Sequence, residues 1–256
     1  MTADPFRSAN ADPLDFPPPP LSNRPMTRLK PDVMLLAAGY GKRMLPLTET
    51  TPKPLLKVAG TALLDHVLAN ARDEDIDRFV LNAHHLSMQM QEAARERGIA
   101  VSVEPELLNT GGGVKLALGL LESDPILVMN TDAFWPEGAD APIGRMLDLF
   151  AEKRPDMVLL CIQPHRAHGF HRSHDFCLAP DAHVTLDRGQ PVIYGGVAVI
   201  ARKAFENTPE GPFSLTMLFD RALEHNRLYG IVLDSPWYHV GDPAALHEAD
   251  HLLGTA

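Results

Sequence analysis

The sequence predicts an α/β fold, with a mixed and mostly parallel central sheet and helices on both faces, and three observations predict it. Short apolar runs of strand length alternate with stretches whose apolar residues recur at helical spacing. Several of these runs stop abruptly on glycines or polar residues, as VMLLAAG does at Gly39 and PILVMNTD does at Asp132. With 256 residues and 45% hydrophobic content, the chain is long enough for one large core. Strand–helix alternation implies parallel neighbours joined by right-handed crossovers, in a three-layer, Rossmann-like arrangement whose ligands bind at the carboxyl ends of the strands.

Residues 1–30 stand apart. MTADPFRSANADPLDFPPPPLSNRPMTRLK is rich in Pro, Asp, Ser and Asn and holds four consecutive prolines. It buries too little apolar surface to order itself and reads as a disordered tail. A Pro-rich ligand for a partner domain and a translation start at Met26 are the alternatives. The folded domain is placed at 31–256. VMLLAAG (33–39) is a buried strand, and TALLDHVLANARDE (61–74) carries apolar residues at helical spacing. RFVLNA (78–83) is a strand, LSMQMQEAARERG (86–98) a helix stopped by Gly98, and IAVSVEP (99–105) a strand. GGGVKLALGLLES (111–123) opens a helix on glycines, and PILVMNTD (125–132) is a strand ending on polar residues. After about residue 155 strands predominate: MVLLCIQ (157–163), DFCLA (175–179), HVTLD (183–187) and VIYGGVAVIA (192–201). Helical patterns return at SLTMLFDRALEHN (214–226) and PAALHEADHLLG (243–254).

Charge narrows the function classes. A formal net charge of −10 argues against a general nucleic-acid surface, while leaving room for a local basic pocket that takes a small anion. Two cysteines, Cys161 and Cys177, make no disulfide framework and fit a reducing, cytoplasmic setting. No apolar run reaches the length of a membrane span, and the N-terminus lacks a basic start followed by an apolar core. No internal repeat follows the α/β part, and nothing in the sequence sets an oligomeric state.

The first strand breaks into Gly39 and Gly41, Arg43 follows at once, and Lys53 comes a short loop later between Pro52 and Pro54. A glycine turn after a strand can wrap backbone N–H groups around phosphate. It is not a P-loop, since no GKS or GKT closes it, and GYGKRM lacks the third glycine of a dinucleotide fingerprint. By itself the turn equally fits a plain strand–helix connection with two surface cations. Arg offers a planar fork of donors and Lys a mobile point charge, a pair suited to the dense charge of a triphosphate. Asp132, at a strand's carboxyl end, fits a Mg²⁺ ligand or a helix cap.

The stretch LAAGYGKRMLPLTETTPKPLLKVAG (36–60) resembles the signature of the sugar-1-phosphate nucleotidylyltransferases, LAAGxGxRxxPLTxxxPKPLxxVxG, and similarity continues over most of 32–253. The resemblance implies a GT-A-type fold. It also implies transfer of a nucleotidyl group from an NTP to a sugar 1-phosphate, with release of pyrophosphate, by direct in-line attack and with Mg²⁺. Arg43 and Lys53 are then the catalytic cations, and Ala37, Ala38, Gly39 and Gly41 the nucleotide loop. The segment LLNTGGGVKLAL (107–118) resembles the family segment beside the base, with Thr110, Gly111, Gly112 and Gly113 leaving room for a flat ring and offering N–H groups to its edge. Its TGGG form is most similar to the N-acetylmuramate-1-phosphate uridylyltransferase branch, where ETGGG is typical; Asn109 replaces the Glu. Asn82 matches an Asn of that branch. NTDAFW (130–135) is similar to the branch's NGDVW, with Asn130 near the sugar and Asp132 on the metal. The family's second metal carboxylate lies in W-x-D-x-G-T; here WYHVGD (237–242) places His239 at that Asp, so that His239 or Asp242 is the second candidate, Asp242 reading equally as a helix cap. QPHRAHGFHRSHDF (163–176) resembles HHGRGDF, with Asp175 near the sugar phosphate. Its histidines 165, 168, 171 and 174 follow no zinc-finger spacing. IYGGVAVI (193–200) is similar to FSGISVL, which puts Gly195 and Gly196 against the sugar. The implied reaction favours UTP and N-acetylmuramate 1-phosphate, in peptidoglycan recycling. Guanylyl transfer to mannose 1-phosphate is the nearest alternative, and a non-catalytic nucleotide-sugar binder is the alternative of another class.

Overall fold

In the computed structural model, residues 29–72, 76–136, 138 and 141–254 are described. The expectation of a disordered tail therefore falls almost wholly outside them. The chain starts with β1 (Val33–Leu36), a loop of three single 3-10 turns, the hairpin β2 (Lys57–Val58) and β3 (Thr61–Ala62), and α1 (Leu63–Arg72). Next come β4 (Phe79–Ala83), α2 (Ser87–Glu96), β5 (Ala100–Val103), α3 (Asn109–Ala117), β6 (Ile126–Asn130), β7 (Ala133–Phe134) and α4 (Pro142–Lys153). The second half holds β8 (Met157–Ile162), β9 (Ala167–His168), β10 (Phe176–Leu178), β11 (Val184–Thr185), β12 (Gln190–Ile200), α5 (Thr216–Glu224), β13 (Leu228–Val232), β14 (Trp237–His239) and α6 (Pro243–Gly254).

The main sheet runs β11-β10-β12-β6-β1-β4-β5, with β8 pairing β12 and β13. β1 is parallel to β4 and β6, β4 to β5, and β8 to β13, while β12 lies antiparallel to both β6 and β8. The sheet is thus mixed and mostly parallel in its first half, as the alternation predicts. Its central strands β1, β6, β8 and β12 are largely apolar because both faces are covered. Val33, Leu35, Leu127, Met129, Val158 and Leu160 face a core shared with α1, α2, α4 and α6. Met34, Val128, Met157 and Leu159 face the opposite core, shared with α3 and α5. A one-residue slip would exchange those two sets, so register is strongly specified.

Two elements of the main fold lie outside the predicted set. α4 buries Ile143, Met146, Leu147 and Phe150 at helical spacing, starting at Pro142 in its first turn. β13 is a five-residue strand with a glycine at its centre. The helix expected at 111–123 starts two residues earlier and gives way to a 3-10 turn at Leu118–Leu120. A separate small sheet, β7-β14-β9, pairs His239 with Ala133 and Tyr238 with His168, residues distant in sequence.

Candidate active site

The register sets the floor of the site. Leu36 pairs with Asn130, so β1 and β6 end side by side, and the glycine turn and Asp132 emerge together. Thr131 Oγ1 donates to the Leu36 carbonyl at 2.7 Å and locks the two strand ends. Asn82, at the end of β4, accepts the Ala37 N–H at 2.7 Å, which fixes the start of the turn from the other side. Gly41 has φ +61°, and a Cβ there would lie 2.9 Å from Thr48 Cγ2 and 3.3 Å from Lys53 Cβ. Thr48 in turn donates to the Gly41 carbonyl at 2.9 Å. The turn is therefore clamped onto the loop that carries Lys53. Among the described residues, the N–H groups of Ala38, Gly39, Tyr40 and Gly41 find no acceptor, and the space beside Gly39 is open. Such a run of free N–H groups is an anion cradle.

Ala37, Ala38, Gly39 and Gly41 line a cleft of about 600 Å³ that also takes in Arg43, Lys53, Asn82, Thr110, Asn130 and Asp132. That volume suits a nucleotide-sized ligand. Lys53 Nζ donates to Asp132 Oδ2 at 2.6 Å. Arg43 is exposed and makes no ion pair among the described residues. Burial alone would raise the Asp132 carboxyl, but the Lys53 ammonium, with Arg43 beyond it, outweighs burial and holds it below the ordinary carboxylate value. Asp132 is thus an anion in a cationic pocket of an acidic chain. Its other oxygen, Oδ1, is buried with no hydrogen-bond partner. A carboxylate oxygen left unpartnered in this way fits the Mg²⁺ expected on Asp132, a hard ion that takes oxygen donors. Among the described residues no three His, Cys, Asp or Glu side chains are grouped to hold an ion, so further donors would have to come from phosphate or water.

Of the two alternatives for a second ligand, Asp242 is turned away. Its Oδ1 accepts the Ala245 N–H at 2.9 Å and caps α6, and its Oδ2 meets His171 Nε2 at 3.1 Å. His239 stays beside the site, with Nε2 3.8 Å from Asp132 Oδ2. A Cβ on Gly241 would sit 2.7 Å from the His239 ring and 3.4 Å from Arg43 Nη1, so that glycine makes room for both.

The glycines of α3 have a different task from the one expected. Gly111 and Gly112 are buried, and both donate their N–H to the Phe213 carbonyl, at 2.9 and 3.1 Å. A Cβ on Gly111 would strike the Phe213 ring at 2.4 Å, and one on Gly112 the Gly211 carbonyl at 2.5 Å. Their N–H groups are not free to read a base; small size lets α3 seat against residues 211–215. Gly113 makes room for Glu104 and Asn82, which a Cβ would approach to 2.4 and 2.6 Å. Glu104 escaped the sequence reading. It is buried, accepts from Asn82 Nδ2 at 2.6 Å and from the Leu108 N–H at 2.9 Å, and links the turn after β1 to the entry of α3. Its only sequence signal is an acid at the end of an apolar strand. The cleft wall on this side consists of Leu107, Asn109, Thr110 and Ser214. Thr110 Oγ1 accepts the Leu215 N–H at 2.9 Å.

On the acceptor side, only Asn130 of the expected residues lines the cleft. Gly196, at φ +79°, lies behind it, with room for no more than the Asn130 side chain at 3.2 Å. Gly195 packs on Ile162, and its carbonyl accepts the Trp237 indole N–H at 3.1 Å. Asp175 pairs with Arg172 at 2.8 Å and accepts the Tyr194 N–H at 3.0 Å, bracing the chain ahead of β10 against β12. Gly195, Gly196 and Asp175 therefore support the wall instead of facing the opening. The histidines of 163–176 disperse: His168 stacks on Tyr238 and meets Glu248 at 3.3 Å, while His171 meets Asp242.

A family model described as nucleotidyl transferase matches residues 32–170, more than half of the chain, and spans the turn, Lys53 and Asp132. The chain belongs to this nucleotidyl transferase family. It is similar to the N-acetylmuramate alpha-1-phosphate uridylyltransferase of Caulobacter vibrioides, 36% identical over 87% of this chain and 97% of that protein. It is also similar to the enzyme of the same name from Neisseria meningitidis serogroup B, 32% identical over 86% of this chain and 97% of that one. Among solved structures, HddC from Yersinia pseudotuberculosis complexed with GMP-PN superposes with TM-score 0.66 at 19% identity, over 86% of this chain and 98% of that one, which shows a shared fold. This family member is a nucleotidyltransferase with the fold of its relatives, and its cleft is lined by two cations, Arg43 and Lys53, and the Asp132 carboxylate.

Proposed function

We propose that the chain transfers the uridylyl group of UTP to N-acetylmuramate 1-phosphate, releasing pyrophosphate, and that it serves peptidoglycan recycling in the cytoplasm. The observation that carries the reading is one cleft in which Arg43, Lys53 and Asp132 converge beside free N–H groups, in a chain similar along nearly its whole length to two enzymes named for that substrate. The triphosphate would lie on the turn at 38–41, where backbone N–H groups and the two cations meet its charge. Lys53 is paired with Asp132; phosphate oxygens offer it a second acceptor of higher charge density. A phosphate oxygen of the sugar 1-phosphate then attacks the α-phosphorus in line. The bond from that phosphorus to the β-phosphate oxygen breaks, and pyrophosphate leaves with its electrons. Arg43 and Lys53 stabilise the charge that gathers on the leaving group and hold two mutually repelling anions together. Asp132 would hold Mg²⁺, which when bound screens phosphate charge. Asn130, on the acceptor wall, would orient the sugar.

The test is pyrophosphate release from a panel of UTP, GTP, CTP, dTTP and ATP against N-acetylmuramate, N-acetylglucosamine, glucose and mannose 1-phosphates. Release confined to UTP with N-acetylmuramate 1-phosphate is expected. A signal from GTP with mannose 1-phosphate would keep the transfer and replace the substrates. No release from folded protein would favour a nucleotide-sugar binder.

A further inference from the structure

His239 has its ring fixed for a task that neither Lys53 nor Arg43 performs. Nδ1 lies 3.2 Å from the Gly169 carbonyl oxygen. A carbonyl only accepts, so Nδ1 must carry the proton, and in the neutral ring Nε2 then holds the bare lone pair. The ring cannot easily turn. It stacks on Trp237 with centroids 5.8 Å apart and planes 6° apart, Phe170 meets it edge-on at 6.1 Å, and Gly241 lies against it. Trp237 is itself anchored to the Gly195 carbonyl. The lone pair is thereby presented 3.8 Å from Asp132 Oδ2, too far for a hydrogen bond. On the same carboxylate, Oδ1 is buried and unpartnered. The imidazole nitrogen thus stands 3.8 Å from the oxygen that Lys53 holds, on a carboxylate whose other oxygen has no partner, and its tautomer is set by a carbonyl on its far side, as in imidazole metal sites.

We infer that this is a mixed carboxylate–imidazole metal site, Asp132 with His239, which takes a transition ion that tolerates imidazole, such as Mn²⁺, in preference to Mg²⁺. Mg²⁺ is hard, demands oxygen and sheds water reluctantly; Mn²⁺ accepts imidazole as well as carboxylate and phosphate. The inference rests on the proposed nucleotide site, since phosphate must complete the coordination, but not on the identity of the sugar.

The experiment is pulsed electron paramagnetic resonance on the full chain with Mn²⁺ and the α,β-methylene analogue of UTP, whose bridging carbon adds no nitrogen signal. Coupling of the bound Mn²⁺ to an imidazole nitrogen is expected, lost in His239→Asp while ³¹P coupling persists. Calorimetric titration of the same complexes should show the Mn²⁺-to-Mg²⁺ affinity ratio falling at least roughly tenfold in His239→Asp. Mn²⁺ bound without nitrogen coupling in the wild-type protein would overturn the inference, and that measurement needs no variant to fold. An unchanged affinity ratio in a His239→Asp protein of normal melting temperature would overturn it too. Nitrogen coupling in a protein that fails to transfer uridylyl would discard the substrate reading and leave this site standing.

Discussion

Lys53 sits where two demands meet: it neutralises Asp132 and lines the same cleft as the turn at 38–41. Lys53→Ala should therefore lower turnover by roughly 10²- to 10³-fold, the scale of losing one preorganised charge stabiliser, while the circular dichroism spectrum stays unchanged. Turnover near that of the wild type would remove Lys53 from the reaction. Thr131 makes a subtler case. Thr131→Val keeps the shape but leaves the Leu36 carbonyl without its donor, and should cost about 1–3 kcal/mol in denaturant unfolding. Gly113→Ala pushes a methyl into Glu104 and Asn82, and the displaced Asn82 would release the Ala37 N–H. It should weaken nucleotide binding in calorimetry more than it lowers the melting temperature.

At the scale of elements, α6 hangs on one side chain. Asp242 accepts the Ala245 N–H, and that bond, followed by contact with His171, holds its carboxyl below the ordinary value. Asp242→Ala should destabilise the fold by about 1 kcal/mol, a melting shift of roughly 2–4 °C, with turnover retained because the carboxylate faces the helix. A second clamp is Asp156, ahead of β8. Burial pushes its carboxyl up, but Arg227 at 2.8 Å and Lys203 at 3.0 Å pull it below the ordinary value. A carboxyl lowered by folding adds stability above its unfolded value, near pH 4, and loses it as pH falls through the lower folded value. The melting temperature should therefore drop on acidification through that window, and Asp156→Asn should flatten the drop while lowering the neutral value. The Asp156 clamp joins segments distant in sequence, which is why spacing alone did not reveal it. α4 was legible and went unread: Ile143, Met146, Leu147 and Phe150 follow a helical period behind Pro142. β13 was not, because LYGIV is short, holds a glycine and gains its strand character from lying against β8.

For the whole molecule, the pattern along the chain determined the α/β class, the parallel first half of the sheet and the placing of the turn, Arg43, Lys53 and Asp132 at strand ends. Those features follow from local periodicity and from residues whose chemistry is tied to one backbone position, such as Gly41 at positive φ. Tertiary structure alone decided what the remaining candidates touch. Gly111 and Gly112 lie against Phe213, Gly195 against Ile162 and Trp237, and Asp175 against Tyr194, all set by contacts between chain segments distant in sequence. It also decided between His239 and Asp242: one is three residues beyond the other, yet the small sheet turns the first toward Asp132, and the start of α6 takes the second as its cap. Local sequence carries the conformational preference of a segment; which partner a side chain meets depends on long-range packing of the sheet and its helices, and that is resolved only when the whole core forms.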